Sequence, residues 1–128
     1  MKKAVIVVGK QNSGKSGAIR HFKKLVKMEG RNKFTLRGKR GFILSTSFDE
    51  VGEKKRPIEA TIKRLSFYDF LVFACQGPTL ARIHAALKKA SFSVKGVSVN
   101  RIQGLNQVQI EAKSKGKAKE IFNYFISN

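Results

Sequence analysis

Cysteine is almost absent from this 128-residue chain. The single thiol, Cys75, lies inside an apolar run, so no internal disulfide can form and no second thiol is there to share a metal. A reducing, cytoplasmic setting is the expectation. Long hydrophobic stretches are also lacking: no window approaches the roughly 18 apolar residues needed to span a bilayer. The opening MKKAVIVVGK has the charged start of a leader, but its apolar run is about half the usual length and is followed by glycine and charge. It reads instead as a buried strand. Acidic residues are few, with 8 Asp and Glu against 27 Lys and Arg, for a formal charge of +19. Such an excess raises a potential of several kT over the surface and favours polyanions, whether nucleic acid, free nucleotides or anionic lipid. Internal repeats, low-complexity segments and linkers are missing too. With 41% apolar residues, the expectation is one compact domain over residues 1–128.

Residues 4–8, Ala-Val-Ile-Val-Val, form an unbroken apolar run, as in a strand covered on both faces. From Gly14 to about Met28 the apolar positions Ala18, Ile19, Phe22, Leu25 and Val26 recur at helical spacing, with Gly30 as a stop. KFTL and GFILSTS flank RGKRG, predicting a hairpin over residues 33–47 that ends in a buried strand at 42–46. Pro57 suits a first helical position before Ile58, Ile62 and Leu65. FLVFAC at residues 70–75 is a second buried strand, and Pro78 opens a helix with the stripe Leu80, Ile83, Leu87 and Ala90. VKGVSVNRI and QVQIEA alternate apolar with polar residues around QGLN, predicting an antiparallel pair at a sheet edge. A last helix buries Ile121, Phe122, Phe125 and Ile126 and exposes Lys115, Lys117 and Lys119. The fold class expected is α/β, a three-layer α/β/α sandwich with a mostly parallel sheet and antiparallel edge strands.

Between the first strand and the first helix stands GKQNSGKS, residues 9–16. Gly9 and Gly14 allow backbone angles and a close approach that side chains forbid, so successive N–H groups from Asn12 to Ser16 can converge on phosphate oxygens. The start of the helix adds partial positive charge. This segment matches G-x-x-x-x-G-K-[ST] between a buried strand and a helix, and it resembles the Walker A loop of the P-loop NTPases. The motif covers eight residues, and with its strand and helix about a fifth of the chain. The resemblance implies an ATP-binding cradle of Gly9, Lys10, Gln11, Asn12, Ser13, Gly14, Lys15, Ser16 and Gly17. It also implies that Lys15 reaches the β- and γ-phosphates and that the Ser16 hydroxyl coordinates Mg²⁺.

The family's second metal-supporting acid, an Asp ending a neighbouring apolar strand, has no counterpart here, because FLVFACQG ends in Cys75 and Gln76. Asp69 precedes that strand and is expected at the end away from the phosphates, as a cap. Asp49 and Glu50 follow FILSTS and fall on the ligand-binding side of an open α/β sheet, so Asp49 is the candidate second Mg²⁺ ligand and Glu50 its catalytic neighbour, weighed evenly against solvated loop carboxylates. Ser45, Thr46 and Ser47 either supply a hydroxyl or cap the turn. Gln76 is a candidate to orient a water, against an ordinary loop amide. Arg82 and Arg101 are conceivable phosphate clamps, and His84 reads as a surface histidine. No Asn-Lys-x-Asp signature is present, which disfavours GTP.

Three functions follow. The first is a small ATPase that hydrolyses MgATP beside nucleic acid, which its basic clusters (RGKRG, Lys54 to Arg56, and the lysines at 113, 115, 117 and 119) hold without sequence preference. The second is a kinase acting on a nucleotide or other small molecule, for which residues 48–57 are the only room for a lid. The third is a non-hydrolysing nucleotide-dependent switch or adaptor whose protein partner supplies the missing acid or arginine.

Overall fold

Five consecutive residues of β1 (Lys2–Val8), Ala4 to Val7 and the adjoining Lys3, are buried, and the fold is arranged around that strand. The computed structural model describes residues 2–9, 14–44, 58–100 and 106–127. After β1 come α1 (Lys15–Leu25), β2 (Lys27–Met28), β3 (Lys33–Leu36) and β4 (Lys39–Ile43). These are followed by α2 (Ile58–Leu65), β5 (Phe70–Cys75), α3 (Gly77–Lys89), β6 (Phe92–Ser98) and α4 (Gln107–Ile126). The six strands form one mixed sheet in the order β2-β3-β4-β5-β1-β6.

β4, β5, β1 and β6 are parallel to their neighbours, while β2 and β3 add antiparallel pairs at one edge. Parallel strands need both faces covered. Side chains alternate across β1, so Val5 and Val7 pack with Ala18 and Phe22 of α1 and Ile121 and Phe125 of α4. Ala4 and Ile6 pack on the other face with Ile58 and Ile62 of α2 and Ile83 and Leu87 of α3. Each fully buried Val, Ile, Leu or Phe among these contributes roughly 1.5–3 kcal/mol. The chain moves from β1 to β4 through the α1 face, and from β4 to β5 and β5 to β6 in the opposite direction through the α2–α3 face. Reversing both direction and face keeps a single crossover hand, as expected for right-twisted strands.

Several expectations hold closely. The strands at 4–8 and 70–75, the hairpin around RGKRG, and the helices after residue 57 and at Pro78 all form. Asp69 does precede β5 at the edge where β1 begins, its carbonyl accepting from the Lys3 amide at 2.9 Å. Of the strand expected at 42–46, the described part runs from Lys39 to Ile43, with Leu44 buried behind it, and residues 45–50 lie outside the described residues.

Two expectations are overturned. The first helix stops at Leu25, which is exposed. Val26 is already extended, and Lys27–Met28 pair with β3 instead of completing another turn. The second correction is larger. Residues 92–98 are not half of an antiparallel edge pair but β6, parallel to β1, and QVQIEA is the start of the 20-residue α4. The reason is at Asn106. Its side chain accepts from the Gln109 amide at 2.9 Å, and the Gln109 side chain accepts from the Asn106 amide at 3.0 Å, a reciprocal cap that starts a helix where alternation suggested a strand. Val108 and Ile110, which created that alternation, are exposed.

The hairpin is set by one close approach. Gly41 of β4 lies against the fully buried ring of Phe34, and a Cβ there would run into that ring. Phe34 is itself held edge-on to Phe22, with centroids 5.3 Å apart, and stacked on Phe70 at 6.5 Å, so it cannot yield without disturbing the core. Gly41→Ala should therefore destabilise the protein by roughly 1–3 kcal/mol in chemical denaturation, whereas Gly116→Ala on the open surface of α4 should not.

Candidate functional site

Adjacent parallel strands whose following connections leave to opposite faces open a crevice at their carboxyl ends. β1 and β5 are such a pair. Val8 lies beside Cys75, the chain after β1 crosses to α1 on one face, and the chain after β5 enters α3 on the other. The two exits are tied together by the Gly9 amide, which donates to the Cys75 carbonyl at 3.1 Å. Gly9 and Gln76 are thereby brought side by side at the crevice. Among the four parallel strands the order in the sheet is second, third, first, fourth, which differs from both common doubly wound dinucleotide-binding orders.

The far end of the eight-residue segment closes onto the same place. Gly14 has φ of 104° and ψ of 12°, a left-handed conformation that glycine adopts at little cost, and it forms the N-cap of α1. The Ala18 amide donates to the Gly14 carbonyl at 3.1 Å, so the amides of Lys15, Ser16 and Gly17 precede the helical ladder at the positive end of the helix. Lys15 is only 8% exposed, and its Nζ donates to the Gly9 carbonyl at 2.7 Å. The side chain was expected to aim its charge at a ligand and not at the core. It is instead buried against the backbone, bridging Gly9 and the start of α1. Ser16 is exposed at the helix start.

This donor set suits a polyphosphate: a left-handed glycine, a helix amino end and a sheltered ammonium group all favour negative charge. The other residues expected to form a cradle, Lys10, Gln11, Asn12 and Ser13, lie outside the described residues, as do Asp49, Glu50, Arg101 and the hydroxyls at 45–47. Among the described residues no cluster of three or more His, Cys, Asp or Glu side chains could hold a metal ion, and β5 ends without a carboxylate. Gln76 is half-buried at the N-cap of α3, where its carbonyl accepts from the Thr79 hydroxyl at 3.1 Å. Arg82 is turned elsewhere. It makes a two-pronged pair with Glu59, 2.7 and 3.0 Å, tying α3 to α2. His84 is exposed, as expected.

Sequence reasoning passed over the polar clamp that supports α1. His21 is buried on the inner side of α1, and its Nε2 lies 2.6 Å from Oε2 of Glu111 on α4. A carboxylate only accepts, so the imidazole donates. Arg20 takes the other oxygen at 2.9 Å. The histidine hydrogen bond holds the Glu111 carboxyl below the ordinary carboxylate range, against some opposing desolvation and with help from the charges of Arg20 and Lys24. The position of His21 on the inner stripe, three residues after Ala18 and beside Phe22, was the available signal. Farther along, Gly17 packs against the Ser114 hydroxyl, so α4 backs the helix that carries Lys15.

A depressed carboxyl adds stability above its ordinary value near 4.5, and that stability is lost as pH falls through the lowered value. Glu111→Gln should be less stable than the parent at neutral pH and should lose part of the stability drop below pH 4.5, as read by denaturation at a series of pH values. No described helix is long and apolar enough to cross a membrane. Comparison with known families, curated proteins and solved structures finds no match to this chain.

Proposed function

We propose that this chain is a P-loop nucleotide-binding domain that binds MgATP at residues 9–17 and hydrolyses it in association with nucleic acid. The observation that carries the reading is the closure of the segment: Lys15 Nζ on the Gly9 carbonyl, with a left-handed Gly14 at the head of a helix that follows a central parallel strand. A glycine-rich turn needs no buried ammonium group at its waist. Burying a cation costs free energy that an anionic ligand would return.

In this reading the amides of residues 14–17 and the charge of Lys15 hold the phosphates, and the Ser16 hydroxyl faces the metal. MgATP, when bound, supplies the transferable phosphoryl group and a divalent charge that offsets its negative oxygens. Gln76, which follows β5 beside Gly9, is the candidate to orient a water. Asp49 and Glu50 remain the candidate acids, with Asp49 toward the metal. The formal charge of +19 draws nucleotides to the surface and holds a phosphate backbone without reading its sequence. A second reading, a switch that binds nucleotide without turnover until a partner supplies an acid, is favoured by the Cys75-Gln76 end of β5. A small-molecule kinase would need its lid in residues 48–57.

Lys15→Ala should weaken MgATP binding about ten- to a hundred-fold in calorimetry, since a hydrogen bond to a charged group contributes roughly 1.5–3 kcal/mol. Affinity equal to the parent's would refute the assignment. Asp49→Ala or Glu50→Ala should lower Mg²⁺-dependent turnover more than nucleotide affinity. Turnover by the parent, with and without oligonucleotide, separates the hydrolase from the switch.

A further inference from the structure

The edge of the sheet remote from the phosphate loop carries an exposed aromatic ring set among cations. Phe67, in the turn from α2 to β5, is 59% exposed. Its ring lies 4.3 Å from that of Tyr68, centroid to centroid, and the Arg40 guanidinium sits 5.4 Å from it and 5.9 Å from Tyr68. On the other side of the same hairpin, Arg37 and Lys39 rim a groove of about 270 Å³ floored by Phe70 and Phe125.

Some positive charge is expected here. Helices that follow parallel strands all run back to this edge, so four carboxyl-terminal helix ends gather there, each with about half a negative charge. Lys2 and Lys3 serve that purpose, donating to Ser66 at 2.9 Å and to Tyr124 at 3.0 Å beside the ends of α2 and α4. Arg37, Lys39, Arg40, Lys63 and Arg64 remain exposed. Together they exceed the helix ends and Asp69, the carboxylate at this edge among the described residues.

We infer that this edge binds single-stranded nucleic acid, with one base stacked on Phe67 and the backbone held by Arg37, Lys39 and Arg40. The inference rests on the nucleic-acid part of the proposed function and gives it a place and a strand preference. Exposed cations alone would accept any polyanion. An exposed ring backed by Tyr68 and flanked by a guanidinium offers a flat face to a base, which a single strand can present and a duplex cannot. The groove beyond Lys39 adds the cations of Arg37 and Lys39 to the path of the backbone.

The test is fluorescence anisotropy at fixed salt with a short oligo-dT, an abasic oligomer of the same length, a duplex, and phosphatidylserine vesicles. The parent should prefer oligo-dT over the abasic oligomer and the duplex. Phe67→Ala should weaken oligo-dT binding about ten-fold while leaving the abasic oligomer unchanged, and Phe67→Trp should restore it. Because Phe67 is exposed, its variants should melt with the parent. Lys15→Ala should bind oligo-dT as the parent does, so failure at this edge is distinct from failure at the phosphate loop. Equal binding of oligo-dT and the abasic oligomer by the parent, no effect of Phe67→Ala, or binding confined to vesicles would each overturn the inference.

Discussion

Val5, Ile6 and Val7 are closed to water on both faces and hydrogen-bonded on both edges, and that confinement of β1 governs the rest of the molecule. A strand in this position needs hydrogen-bonding partners left and right and apolar cover above and below, here supplied by parallel strands and by helices, because no unsatisfied amide and no exposed apolar face is tolerated at such a place. Its carboxyl end delivers the chain to one face while the neighbouring β5 delivers it to the other. The crevice at Val8 and Cys75 follows from the same constraint. The placing of Gly9 beside the end of β5 is therefore a consequence of topology before it is a matter of side chains.

The two ends of the sheet have different chemistry for a common reason. Parallel strands with returning helices collect helix amino ends at one edge and carboxyl ends at the other. At the first edge, Lys15 meets the Gly9 carbonyl beside the positive end of α1. At the second, Lys2 and Lys3 neutralise carbonyls, and Arg40 lies beside the exposed ring of Phe67. The clamp of His21, Arg20 and Glu111 joins α1 to α4, so the helix bearing Lys15 is fixed by electrostatics as well as by Phe22 and Phe125.

Where burial is uniform or strongly periodic, the elements were legible in the residues. The runs at 4–8 and 70–75, the stripe of Ile83 and Leu87, and Gly14 before a helix all report local preferences that the fold respects. The reading failed where alternation and capping disagreed. Val108 and Ile110 imitate a strand, but both are exposed, and the Asn106–Gln109 cap decided the outcome. The short β2 was missed because two residues carry no period, and they pair only because β3 is there to receive them. His21 was missed because a polar residue on an apolar stripe is explained only by its partner, 90 positions away.

By itself the sequence determined the strand–loop–helix unit around GKQNSGKS, the α/β class and the excess of positive charge, because each rests on neighbouring residues or on composition. Tertiary structure alone decided the strand order, the diversion of Arg82 to Glu59, and the gathering of Arg37, Arg40 and Phe67 at one edge. Those depend on contacts between residues far apart in the chain. No local preference encodes them, and they exist only once the sheet has formed around β1.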